Sequence, residues 1–175
     1  MDLSRLPRSR ILEEHVFRFT KPKFSSPDQA ISGIGGFQAS SRYGVEGQHR
    51  LFYASFDEVT ALHEAFRKGR FSNLPKRCLL PLVLLSLKVT NLEVIDLTLS
   101  EVQRVTGISE DTLVADWNLT EKSPTQEIGI AAFEQGVMGL IVPSAAQPGS
   151  KNLVIFPELL ESPNQVICTS VVSWT

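Results

Sequence analysis

The order in which strand-like and helix-like runs follow one another constrains this chain more than any motif does. HVFRF holds β-formers with one arginine among them and predicts a short strand, His15–Phe19. LFYA predicts a second, Leu51–Ala54. Ser55 and Asp57 then introduce a helix over Asp57–Lys68, with Val59, Leu62 and Phe66 as its apolar stripe and Gly69 as its stop. Leu79–Val89 reads as a buried strand with Pro81 near its start, where a missing amide does least harm, and Leu92–Asp96 as another. Thr98 or Ser100 caps a short helix ending near Gly107, and Ser109 caps a second through Glu110–Trp117. The plainest helix start is Ser123-Pro124-Thr125-Gln126, with an N-cap serine, a first-turn proline and a glutamine that completes a capping box. That helix runs to Gln135 and ends at Gly136; Leu140–Val142, Asn152–Phe156 and Val166–Val172 predict three closing strands. Strand and helix do not alternate here. The order therefore argues against a doubly wound parallel sheet and predicts the α+β class, a mixed or antiparallel β core with three to four helices.

Composition narrows the function. At roughly 100–200 residues per domain, 175 residues make one domain, Met1–Thr175. Lys plus Arg is 17 and Asp plus Glu is 19, so the basic excess of a dedicated nucleic-acid binder is missing. The longest apolar stretch, near Leu79–Leu87, is interrupted by Pro81 and Ser86 and falls short of the ~20 residues of a membrane span. The N-terminus MDLSRLPRSR has no apolar region of a secretory signal. Cys78 and Cys168 lie far apart and fit no CxxC pattern, so a reducing cytoplasm is the expected location.

Most candidate chemistry has a plain structural reading. His63-Glu64 begins like HExxH, but Arg67 stands where the second histidine would, and no metal site is expected. Gly33-Ile34-Gly35-Gly36 is not GxGxxG and lies in Lys21–Gly47, a stretch predicted to be a long loop with little regular structure. Ser144, in the Pro143–Ser150 segment, is of the type found in turns and caps, and no GxSxG accompanies it. Arg18 sits between Phe17 and Phe19, so alternation sets it on the opposite face from both. There it is either solvated or a guanidinium in a cleft that grips a carboxylate or phosphate. Periodicity sets Glu64 about 160° from the apolar stripe, on the surface.

Several blocks, in order, resemble the RES-domain family, the toxin component of bacterial toxin–antitoxin pairs. HVFRFT is similar to the opening strand with its arginine, here Arg18. SRYGVEGQHRLFYASFDEVTALHEAF resembles the central block and supplies Arg42, Tyr53 and Glu64, with Ser41-Arg42-Tyr43-Gly44 where many members carry a Gly-Gly-Arg-Trp type segment. NLEVIDLT resembles the middle strand, and SPTQEIGIAAFEQGVMGLIVPSAAQPGSKNLVIF the C-terminal block with Gln126, Gly139, Ser144, Asn152 and Phe156. The resemblance covers roughly Glu14–Pro157.

It implies a fold related to bacterial ADP-ribosyltransferase toxins and cleavage of the nicotinamide–ribose bond of NAD⁺, by water or by phosphate. NAD⁺ is then substrate, and no cofactor is expected. The implied roles are Glu64 beside the ribose, Arg18 and Arg42 on the diphosphate, Tyr53 near the nicotinamide ribose, and Ser144 and Gln126 as further substrate contacts. Gly33, Gly35 and Gly36 would let the loop approach the dinucleotide. The implied partner is a helix-turn-helix antitoxin that covers the site, with Phe71, Leu74 and Val171–Trp174 as candidate exposed apolar residues. A protein ADP-ribosyltransferase and an inactive interaction module of the same fold are the alternatives.

Overall fold

The computed structural model describes residues 1–71, 79–117 and 123–175. Cys78 and Leu74 lie outside them, as does the side chain of Phe71. Six strands form the sheet: β1 (Ser9–Thr20), β2 (Phe52–Ser55), β3 (Leu82–Asp96), β4 (Gly139–Pro143), β5 (Lys151–Ile155) and β6 (Val166–Trp174). Their order is β1-β2-β5-β4-β3-β6, and β1 also pairs with β3, so five strands close into a ring with β6 outside it. All pairings are antiparallel except β3 with β4. The α+β class expected from the element order is therefore the one observed. The ring is tight along β1–β3, paired from Ser9↔Val94 to Thr20↔Val83, and loose at β1–β2, which meet only at Phe17↔Ser55.

Alternation divides the core. On β5, Leu153 and Ile155 join Val16, Phe52, Leu85 and Leu87 inside the ring, while Val154 turns to the other face with Leu140 and Val142. That face is covered by α6 (Pro124–Glu134) through Ile128, Ala131 and Ala132. The capping box read from Ser123 to Gln126 is present, and Gly136 follows the helix with φ 71°.

Four expectations change. The two predicted strands Leu79–Val89 and Leu92–Asp96 are one 15-residue strand, β3. The buried parity changes along it, from Val83, Leu85, Leu87 and Val89 to Leu92 and Val94, across Asn91 at φ 51°. Asparagine tolerates that conformation, so the pattern breaks while the strand continues. α3 spans Glu58–Phe71 and does not stop at Gly69. Within Lys21–Gly47, Pro27–Ile31 and Ile34–Gln38 form short helices α1 and α2, which with α4 (Ser100–Thr106) and α5 (Glu110–Val114) make six helices among the described residues. Ser109 caps α5 as expected, but neither Thr98 nor Ser100 caps α4. Leu99 holds that position, and Thr98 bonds instead to Asp96.

No described helix is long and apolar enough to cross a membrane. Cys168 is a free, half-buried thiol that burial pushes above its ordinary pKa.

Candidate active site

A cleft of about 650 Å³ opens where β1 and β2 splay, walled by α3, the strand ends of β4 and β5, and the turn 39–43. Its size and mixed lining are those of a small-molecule site. Four charged residues line it: Arg18, Arg42, Arg67 and Glu64.

Glu64 faces the cleft because α3 is phased differently from its hydrophobic pattern. Val59 is 60% exposed, whereas Thr60 and Ala61 are buried and Ala65 lines the cleft. Small residues let the helix close on the sheet, and Glu64 lies four and three positions after Thr60 and Ala61, on the same face. Asp57 starts the helix, as the sequence indicated, by accepting a bond from the Thr60 amide at 2.8 Å. The surface position expected from periodicity is thus corrected. The Oε1 of Glu64 accepts two hydrogen bonds of 2.7 Å, from the Ser144 hydroxyl and the Asn152 side-chain amide.

Arg18 lies on the cleft wall, not on a solvated face. Its guanidinium donates to the Tyr53 carbonyl at 3.2 Å and lies 5.7 Å from the centre of the Phe52 ring. Its Nε is buried with no hydrogen-bond partner. Burial holds the guanidinium down to about 10, against which Tyr53 acts weakly, so it is fully charged at neutral pH. No carboxylate forms an ion pair with it among the described residues. The cleft therefore presents a desolvated cation suited to an anionic ligand.

The remaining candidates separate. Tyr53 lines the cleft from β2, but its hydroxyl is engaged: it donates to Ser41 Oγ at 2.9 Å and accepts from the Tyr43 amide at 3.0 Å. Desolvation pushes its phenol above the ordinary range. The guanidinium of Arg42 donates to the carbonyls of Leu113, Val114 and Ala115. It thus caps the end of α5, where a cation meets the negative end of the helix. The diphosphate grip implied for Arg42 is not what these bonds serve. Gln126 does not line the cleft. Its Oε1 accepts from the Ser123 amide, and its Nε2 donates to the carbonyls of Ser41 and Gly44 at 3.1 and 3.4 Å, which clamps the turn onto α6. Ser144, 3% exposed, donates to Glu64 and accepts from the amides of Ala146 and Gln147. It is at once the turn residue read locally and a partner of the carboxylate, and it is not on the cleft wall.

Three participants had been given no site role from the sequence: Arg67, Ser55 and Asn152, the last noted only as a residue of the C-terminal block. Arg67 lines the cleft three residues after Glu64, held by the Ala145 carbonyl and by Asp116 at 3.2 Å. The i,i+3 spacing from Glu64 was the available signal. Ser55 and Asn152 join through a 2.6 Å hydrogen bond across the β2–β5 register. Only strand pairing reveals that the two meet. The glycines divide too. A Cβ at Gly33 would lie 2.9 Å from the Leu51 amide, and one at Gly36 would collide with the Leu51 carbonyl, so both serve close packing against the chain entering β2. Gly35 lines the cleft with open space where its Cβ would be. No group of three or more possible metal ligands occurs among the described residues.

No curated protein matches the sequence. Among solved structures, a chain of the M. tuberculosis MbcT–MbcA toxin–antitoxin complex superposes with a TM-score of 0.80 at 23% identity, covering 95% of this chain and 87% of that one. At that identity the likeness speaks for the fold. The RES domain model matches residues 15–174, nearly the whole chain and every residue of the cleft wall. The chain belongs to the RES-domain family.

Proposed function

We propose that this chain is the toxin of a toxin–antitoxin pair and that it depletes NAD⁺ by cleaving the nicotinamide–ribose bond. The observation that carries this is one cleft holding a fixed carboxylate, Glu64, and a desolvated arginine with no acidic partner, Arg18. NAD⁺ is dipolar, with a cationic nicotinamide ring at one end and an anionic diphosphate beyond the ribose. Arg18 and Arg67 together with one carboxylate around a single cleft match that polarity.

As the glycosidic bond breaks, its electron pair leaves with nicotinamide, which departs neutral and needs no proton. Positive charge grows on the ribose, as in glycoside cleavage. A carboxylate aimed at that charge stabilises the transition state more than the ground state. Glu64 takes that role. Arg18 and Arg67 hold the diphosphate, Tyr53 and Phe52 form the wall beside the ribose, and Ser144 keeps Glu64 in place. Water or inorganic phosphate then attacks the exposed ribose carbon. An ADP-ribosyltransferase-type fold, a single RES domain, a cytoplasmic location and a helix-turn-helix antitoxin that covers the cleft belong to the same reading. The MbcT–MbcA neighbour, a toxin–antitoxin complex, supports the pairing.

The test is NAD⁺ loss on adding purified protein, with and without phosphate, beside Glu64→Ala. Loss only with phosphate defines a phosphorylase, and loss in both a glycohydrolase. The variant should fold and lose about 10²–10³ in kcat. Folded, antitoxin-free wild type that consumes no NAD⁺ under either condition overturns the reading; label appearing on protein would instead mark a protein ADP-ribosyltransferase.

A further inference from the structure

Glu64 is held by more than Ser144, and the extra hold comes from the sheet. Asn152 and Ser55 face each other as register partners on β5 and β2, 6% and 3% exposed. The Ser55 hydroxyl donates to Asn152 Oδ1 at 2.6 Å, and Asn152 Nδ2 donates to Glu64 Oε1 at 2.7 Å. Ser144 donates to that same oxygen.

The directions of these bonds are determined. An ionised carboxylate only accepts, so Asn152 must turn its NH₂ toward Glu64. Its carbonyl oxygen is then left for a donor, and Ser55 is that donor. Oε1 is therefore occupied by two N–H or O–H groups, while Oε2 has no hydrogen-bond partner among the described residues. Glu64 itself lines the cleft. We propose that Ser55 and Asn152 are positioning residues: the relay Ser55→Asn152→Glu64 pins Oε1 so that Oε2 is the oxygen presented to the ligand. The relay rests on the functional reading above for what that ligand is, but the pinning itself does not.

Its anchor differs from that of Ser144. Ser144 sits in a turn, whereas Asn152 lies on β5, which is paired on both sides, and Ser55 is its register partner on β2. A long glutamate on a helix has three rotatable side-chain bonds. Two donors converging from the sheet and the turn leave it one place to be. Sites held by rigid elements keep their geometry best.

The experiment has two arms. In the first, crystal structures of wild type and Asn152→Leu, a change of similar size, are compared without any ligand. Glu64 should be fixed on Ser144 and Asn152 in wild type and should leave that place or spread over rotamers in the variant. An unmoved carboxylate overturns the proposal. In the second, NAD⁺ turnover is measured for wild type, Asn152→Leu, Glu64→Ala and the double variant. Loss of such outer partners typically costs 10–100-fold. That loss should appear in kcat, with KM within about threefold, and should vanish in the Glu64→Ala background because the relay acts through Glu64. An Asn152→Leu kcat within twofold of wild type, or an equal loss in the Glu64→Ala background, overturns it. Should Asn152→Leu fail to fold, Ser55→Ala removes only the distal hydroxyl, and the same comparisons decide. Wild type that consumes no NAD⁺ defeats the functional reading alone, and the crystallographic arm still settles the pinning.

Discussion

Arg18 carries a full charge into a buried position beside Phe52, with one carbonyl and one ring face as its compensation. Burying an ion without a counter-ion costs stability, and the cost is kept only where binding needs it. Arg18→Met keeps the stem and drops the charge. It should raise stability by on the order of 1–2 kcal/mol, or ~2–8 °C in Tm for a chain of this size, while abolishing NAD⁺ consumption. Thermal unfolding beside the activity assay checks both halves, and a lower Tm would show that the charge stabilises the fold. Local sequence could single this arginine out, since alternation names its face, but alternation does not say what covers that face. Gln126 shows the opposite case. Its capping role was legible in SPTQ, and its grip on the turn carbonyls 82 and 85 residues away was not. Arg42 caps a helix some 70 residues downstream, which no local pattern encodes.

At the scale of elements, burial rather than chemistry decided what could be read. α6 has a capping box and was legible from its first residues. α3 was placed well but phased wrongly, because its inner face is Thr60, Ala61 and Ala65 and its larger apolar residue Val59 points outward. A hydrophobic pattern finds the greasiest side of a helix, and here the side that matters is the small one. The short helix α2 gives the sharpest test of the glycine segment. Gly35 has helical backbone, lines the cleft and has empty space where its Cβ would be, whereas Gly36 abuts the Leu51 carbonyl. Gly35→Leu should therefore fold with a Tm within about 2 °C of wild type and block ligand entry. Gly36→Ala should destabilise by about 1–3 kcal/mol through overpacking. Paired melting curves and NAD⁺ turnover would show it, and equal effects of the two changes would mean the cleft does not extend over Gly35.

The whole molecule is a ring of strands locked by distant contacts, and one residue ties three of its parts. His49, in the chain leading to β2, is 3% exposed, stacks 4.7 Å from Phe133 of α6 and meets Phe156, just after β5, edge-on at 5.3 Å. Its Nε2 is buried without a partner. Desolvation pulls the imidazole below its ordinary value, against the opposing influence of a backbone bond to Tyr43 and the charges of Glu158 and Glu134. The sign follows from linkage. As pH falls past the ordinary histidine value near 6.5, the unfolded chain takes up a proton that the folded chain resists. Stability from this group is complete above that pH and is lost as pH falls toward the lowered folded value, at no more than about 1.4 kcal/mol per pH unit for one proton. His49→Phe keeps the stacked ring and removes the titration. Chemical denaturation of the two proteins between pH 7.5 and 5 should give a falling ΔG for wild type and a flatter line for the variant. Parallel lines would mean that the imidazole takes up its proton equally in the folded and the unfolded chain and contributes nothing to the loss of stability in acid.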